Sequence, residues 1–156
     1  MNKYHGLIKL HLHGGAFGYI DPMQILRVAP GKDGVKHAIL KQVTMVPDPK
    51  NPARGIPQHE HMDLNGKKNT NAMLMKQWPG FVEMPGPKEP GQDAAIGMAE
   101  MVNVAGCTGI APDGKGNTIM MFDGSDAVAA TSLKMGEVFE KVDKWNRVLN
   151  AWIASL

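Results

Sequence analysis

The densest group of side chains with chemical potential is His59-Glu60-His61 with Asp63, which places four possible ligands or proton-transfer groups within five residues. Imidazole and carboxylate together suit zinc and other transition metals. A structural zinc site takes a second ligand cluster as well, and loop histidines are more commonly solvated or hydrogen-bonded to neighbours. His59, His61 and Asp63 therefore stand as metal candidates, and no metal, cofactor or catalytic residue is assigned. A second group, His11 and His13 with His5 upstream, shares one face of an expected strand, where histidines are ordinarily polar surface. Carboxylates such as Glu83, Glu89 and Glu100 are scattered without the spacing of an acid/base pair.

Other chemistries lack their parts. Gly14-Gly15 and Gly18 lead into Tyr19 and Pro22 rather than into a helix, so no helix N-terminus faces a phosphate. There is no Gly-x-Ser-x-Gly nucleophile turn. Cys107 is the sole cysteine, so no internal disulfide can form; a small apolar filler made in a reducing compartment is the expected role. A net charge of +2, with Lys67-Lys68 the densest basic pair, gives no footprint for direct nucleic-acid binding. No apolar run reaches membrane-spanning length, and no basic region followed by an apolar stretch marks a secretory leader at the start.

The elements that would position these groups divide into ordered ends and an irregular middle. Ile8, Leu10 and Leu12 alternate with Lys9, His11 and His13, the period of a half-buried strand. Gly14-Gly15 turns the chain, Phe17 to Ile20 returns, Asp21-Pro22 breaks the ladder, and Ile25 to Val28 forms a short strand. His37 to Val46 reads as a further strand with Ile39, Val43 and Met45 toward the core. Near the end, Thr118 to Phe122 and Asp126 to Ala130 read as a hairpin about Asp123-Gly124. Ser132 is then the expected N-cap of a final helix. In that helix Met135, Val138, Val142, Trp145, Leu149, Trp152 and Leu156 follow spacings of three and four, a seam that Phe139, Val148 and Ile153 widen.

Residues 47–116 interrupt all patterns with nine of the eleven prolines, and only Ala94 to Val104 holds a window that fits a short helix or a strand. The expected architecture is one α+β domain over 1–156. Its core, 1–46 plus 117–156, is a small antiparallel β unit of hairpins or a partial barrel with a C-terminal helix. The insertion 47–116 is an irregular Pro/Gly-rich arm whose removal should leave the core intact.

The stretches Leu7 to Val28, with Gly14, Phe17, Ile20-Asp21-Pro22, Ile25 and Val28, and Thr118 to Val142, with Thr118-Ile119, Asp123-Gly124, Ser132, Glu137 and Val138, together resemble the small flagellar and swarming-motility (FlbD-like) family and its phage-encoded look-alikes. The resemblance covers about a third of the chain, interrupted by the long middle segment. It implies a small β-rich unit with a C-terminal helix and brings no catalytic residues.

Ordering a long Pro-rich arm costs backbone entropy that contacts must offset. Its methionines suit an adaptable contact surface. The expected function is therefore a structural or assembly protein, a bacteriophage virion component such as a capsid decoration or tail or baseplate subunit. It would be put together in the host cytoplasm and bound to its own copies or to other virion proteins. Trp78, Phe81, Trp145, Leu149, Trp152 and Leu156 are the expected interface anchors. The alternatives are a small regulatory or adaptor module, cytoplasmic in that case, and a metal-dependent enzyme at His59, His61 and Asp63.

Overall fold

A computed structural model describes residues 6–88, 100–122 and 125–155. The fold is α+β, with three antiparallel sheets and a C-terminal helix. Strands β1 (Ile8–His11) and β2 (Phe17–Ile20) form a hairpin in which Ile8 and Leu10 are buried, as the alternation requires. Asp21 then caps a single 3-10 turn at Pro22–Gln24 by accepting the Met23 N–H. Strand β3 (Ile25–Pro30) follows, then β4 (Val35–Asp48), β5 (Asn51–Asn65), helix α1 (Asn71–Gln77), β6 (Phe81–Met84) and β7 (Glu100–Asn103). These strands make one sheet in the order β5-β4-β3-β7-β6. Strands β8 (Cys107–Pro112), β9 (Thr118–Phe122) and β10 (Ser125–Thr131) make the third sheet, and α2 (Met135–Ala154) packs against β8 and the 3-10 turn before it.

The middle segment is more regular than its prolines suggest. Strand β5 is 15 residues long and includes Pro52 and Pro57. It lies at the edge of its sheet, where one row of backbone groups has no ladder partner and a missing N–H costs little. Helix α1 is only seven residues, too short to show a period; Thr70 caps it by accepting the Met73 N–H. The same segment supplies Leu64, Leu74, Trp78, Phe81, Met84, Met101, Val102 and Val104 to one core cluster shared with Leu10, Ile25, Met120 and Val138. Deleting 50–115 would thus remove core and not merely an arm. Of the undecided window, 100–103 is strand and 104–106 a 3-10 turn, and 94–99 lies outside the described residues.

Three smaller expectations change. Val43 and Met45 are exposed, and Ala38 is the fully buried residue of β4, because the inner half of that strand alone crosses the body. Ser132 does not cap α2, because it lies two residues before the cap position, and its N–H goes to the Gly86 carbonyl. The helix opens instead at Lys134, whose N–H is met by Glu137 Oε1, half of a capping box. Along α2, Val138, Val142, Trp145 and Leu149 face the core, whereas Phe139 is 61% exposed. The Asp123-Gly124 turn, His5, Glu89 and Leu156, and the side chains of Asp126 and Ile153, lie outside the described residues. Among the described residues no helix is long and apolar enough to cross a membrane.

Candidate functional site

The chemistry-bearing residues converge at the root of the β4–β5 hairpin. A turn closed by Gly31 N–H to the Val35 carbonyl, with Asp33 and Gly34 at positive φ, starts β4 two residues before His37. Gly66 then ties the end of β5 to that turn, its N–H reaching the Gly34 carbonyl at 2.8 Å. A Cβ at Gly66 would stand 2.6 Å from that same oxygen, so only glycine fits there. With both ends pinned, the register places His37 opposite Asp63 and Ile39 opposite His61.

Because side chains two apart on a strand share a face, His61 and Asp63 project together, and His37 joins them from the neighbouring strand. His37 Nδ1 lies 2.8 Å from Asp63 Oδ1, and His61 Nε2 lies 3.5 Å from the same oxygen. The two imidazoles meet edge to face at 5.4 Å between centroids. One ligand atom from each of the three residues falls within 4.8 Å of the others. The His37 ring fits because Gly31 has no Cβ; one built there would approach His37 Nε2 to 2.6 Å.

His59 is not part of this group. The register shifts between Ile39 and Val43, and the irregularity presents the Leu40 carbonyl to His59 Nδ1 at 2.7 Å. Of the sequence candidates, then, His61 and Asp63 come together and His59 turns aside. His37 completes the group, and no local spacing could have named it, since 26 residues separate it from Asp63. His11 is held elsewhere through its backbone, and His13 donates its N–H to the Asp63 carbonyl.

Beyond this root the hairpin continues as a free ribbon. At about 3.4 Å per residue the 15-residue β5 is about 50 Å long, and its outer half, from Asn51 to Gln58, is exposed throughout. From Val43 to Gln58 neither face is buried, and Val43, Met45 and Ile56 are 42%, 63% and 38% exposed.

Three of the four aromatic anchors expected at an interface lie inside the chain. Trp78, Phe81 and Trp145 are 6%, 2% and 5% exposed, and the two indoles pack with centroids 5.0 Å apart. They are core because α2 lays its apolar stripe on the body rather than outward. Leu149 and Trp152 are half-buried, with Leu149 packed against that core. A cleft of about 540 Å³ runs between α2 and the β6 edge, lined in part by Met75, Phe81, Val82, Lys141 and Val148. No family model, curated protein or solved structure matches the chain.

Proposed function

We propose that the protein is a structural subunit of a multi-copy assembly and that the outer β4–β5 ribbon is the arm by which it engages neighbouring copies. The observation that carries this reading is the ribbon's double exposure. A two-stranded hairpin is marginal in water without a third strand or a packed face. This one nonetheless continues from Val43 to Gln58 with Val43, Met45 and Ile56 in solvent. Contact with another subunit would bury those residues and order the arm. A bacteriophage particle, in capsid decoration or in a tail or baseplate, is the setting we favour, since a closed lattice meets each arm with a neighbour at fixed geometry. On this reading the chain is not an enzyme.

The test shortens the ribbon and spares the body. Residues 46–56 are replaced by Asn-Gly, a two-residue turn joining the paired Met45 and Pro57. Native mass is then measured by light scattering. The full chain should form a discrete oligomer and the shortened chain a folded monomer. A monomeric full chain, or an oligomer that survives shortening, would overturn the reading.

A small adaptor module is the second reading, favoured by the cleft between α2 and β6. It predicts a monomer whose peptide ligand protects Lys141 and Lys144, at that cleft, from acylation.

A further inference from the structure

We propose that His37, His61 and Asp63 form a binding site for a transition-metal cation of the zinc class, stapling β4 to β5 where the ribbon leaves the body. A tetrahedral zinc ion with bonds of about 2.0–2.1 Å holds its ligand atoms about 3.3 Å apart. The separations here, 2.8 Å from His37 Nδ1 and 3.5 Å from His61 Nε2 to Asp63 Oδ1, bracket that spacing. At 3.5 Å the His61 nitrogen is too far for a good hydrogen bond, yet it converges on the same carboxylate oxygen as His37. Two imidazoles and one carboxylate favour zinc, cobalt or nickel over magnesium or calcium, which take oxygen ligands throughout.

Preorganisation comes from the backbone. All three ligands sit on adjacent, register-locked strands pinned by Gly31 and Gly66, so little ordering is needed on binding. The side chains are 35%, 49% and 50% exposed, which leaves a face open for water as the fourth ligand. Bound metal would fix the ribbon's root, adding a side-chain tie between strands that are otherwise joined by backbone pairing and by the hydrogen bonds of His59 to the Leu40 carbonyl and of Thr44 to Glu60.

The experiment is zinc titration of the full chain by calorimetry, with cobalt substitution to read geometry from visible absorption. We expect one zinc per chain and a tetrahedral cobalt spectrum. H37A, H61A and D63N should each weaken zinc binding by at least about tenfold, the loss that even outer partners of a metal cause. H59A should bind as the unaltered chain does. All these side chains but one are at least a third exposed and His59 is half-buried, so the variants should fold, and circular dichroism checks that they do. Absence of stoichiometric zinc overturns the assignment, as does undiminished binding in H61A and D63N or an equal loss in H59A. The shortened-ribbon chain retains all three ligands and should still bind zinc, so this result stands apart from the outcome for assembly.

Discussion

Asn69 and His11 form a two-way hydrogen bond: the Asn69 Oδ1 accepts the His11 N–H at 3.0 Å, and its Nδ2 donates to the His11 carbonyl at 2.6 Å. Two residues back along the same edge, Gln77 does the same to Lys9, at 2.9 and 3.0 Å. In an antiparallel pair alternate residues turn their backbone groups away from the partner strand. The outward-turned groups of β1 are thus met by two side-chain amides in place of a third strand, which closes an edge that could otherwise template aggregation. Asn117 repeats the device on Lys88, accepting its N–H at 2.8 Å and donating to its carbonyl at 2.7 Å.

Removing either amide should therefore cost more than its size implies. Asn69→Ala empties a buried position, leaves the part-buried His11 N–H and carbonyl without their partner, and should destabilise by about 1–3 kcal/mol. Gln77→Ala should cost less, since Gln77 is half-buried whereas Asn69 is 2% exposed and water can replace part of the Gln77 bonding. Urea denaturation of the two variants measures the difference; equal, negligible losses would mean that water satisfies the β1 edge.

Asn103 is the polar hub of the core. Its amide donates to the Pro22 and Ile25 carbonyls and accepts from the Trp78 indole and the Ala105 N–H. Asn103→Asp keeps the shape, removes both donors and buries a charge, so it should destabilise by about 3–5 kcal/mol. A double-mutant cycle of Asn103→Ala with Trp78→Phe should show coupling of at least about 0.5 kcal/mol, the threshold for residues in one network. Additive losses would separate the two groups energetically.

Burial pushes the Cys107 thiol above its ordinary range. The reactive thiolate is thus scarcer in the folded chain at neutral pH. Alkylation by iodoacetamide should be slower than for a free thiol, rise at a higher pH, and become fast in denaturant. A folded chain that reacts as quickly as the unfolded one would contradict the packing around β8.

Asp113 holds the β8–β9 turn. Hydrogen bonds from the Asn117 side chain, then from the Lys115 backbone, lower its carboxyl below the ordinary aspartate range. A depressed folded value contributes stability that is present above the unfolded value and is lost as pH falls through the folded one. The acid limb of a stability-against-pH curve should therefore be shallower in Asp113→Asn than in the unaltered chain. Superimposable acid limbs would show that the turn's hydrogen bonds do not distinguish the ionised form.

Local pattern in the sequence determined the elements whose hydrophobic period matches their final exposure. The alternation at Ile8, Leu10 and Leu12 marks β1, the Asp21-Pro22 step marks the break before β3, and the spacing of Val138, Val142, Trp145 and Leu149 marks the buried stripe of α2. Proline frequency obscured β5, because a proline's cost depends on whether its strand is central or at an edge, and edge position is a property of the sheet. The two-His, one-Asp group was half visible. His61 and Asp63 share a face by strand geometry alone, but His37 joins them only through the β4–β5 register, which the turn at Gly31 to Val35 and the Gly66 contact set. Whether Trp78 and Trp145 meet each other or a neighbour was likewise decided in three dimensions, since an apolar stripe specifies that it will be buried and leaves open against what. Sequence carries short-range period and turn chemistry; pairing between distant strands, and with it the site and the inward packing of Trp78 on Trp145, exists only once the chain has closed on itself.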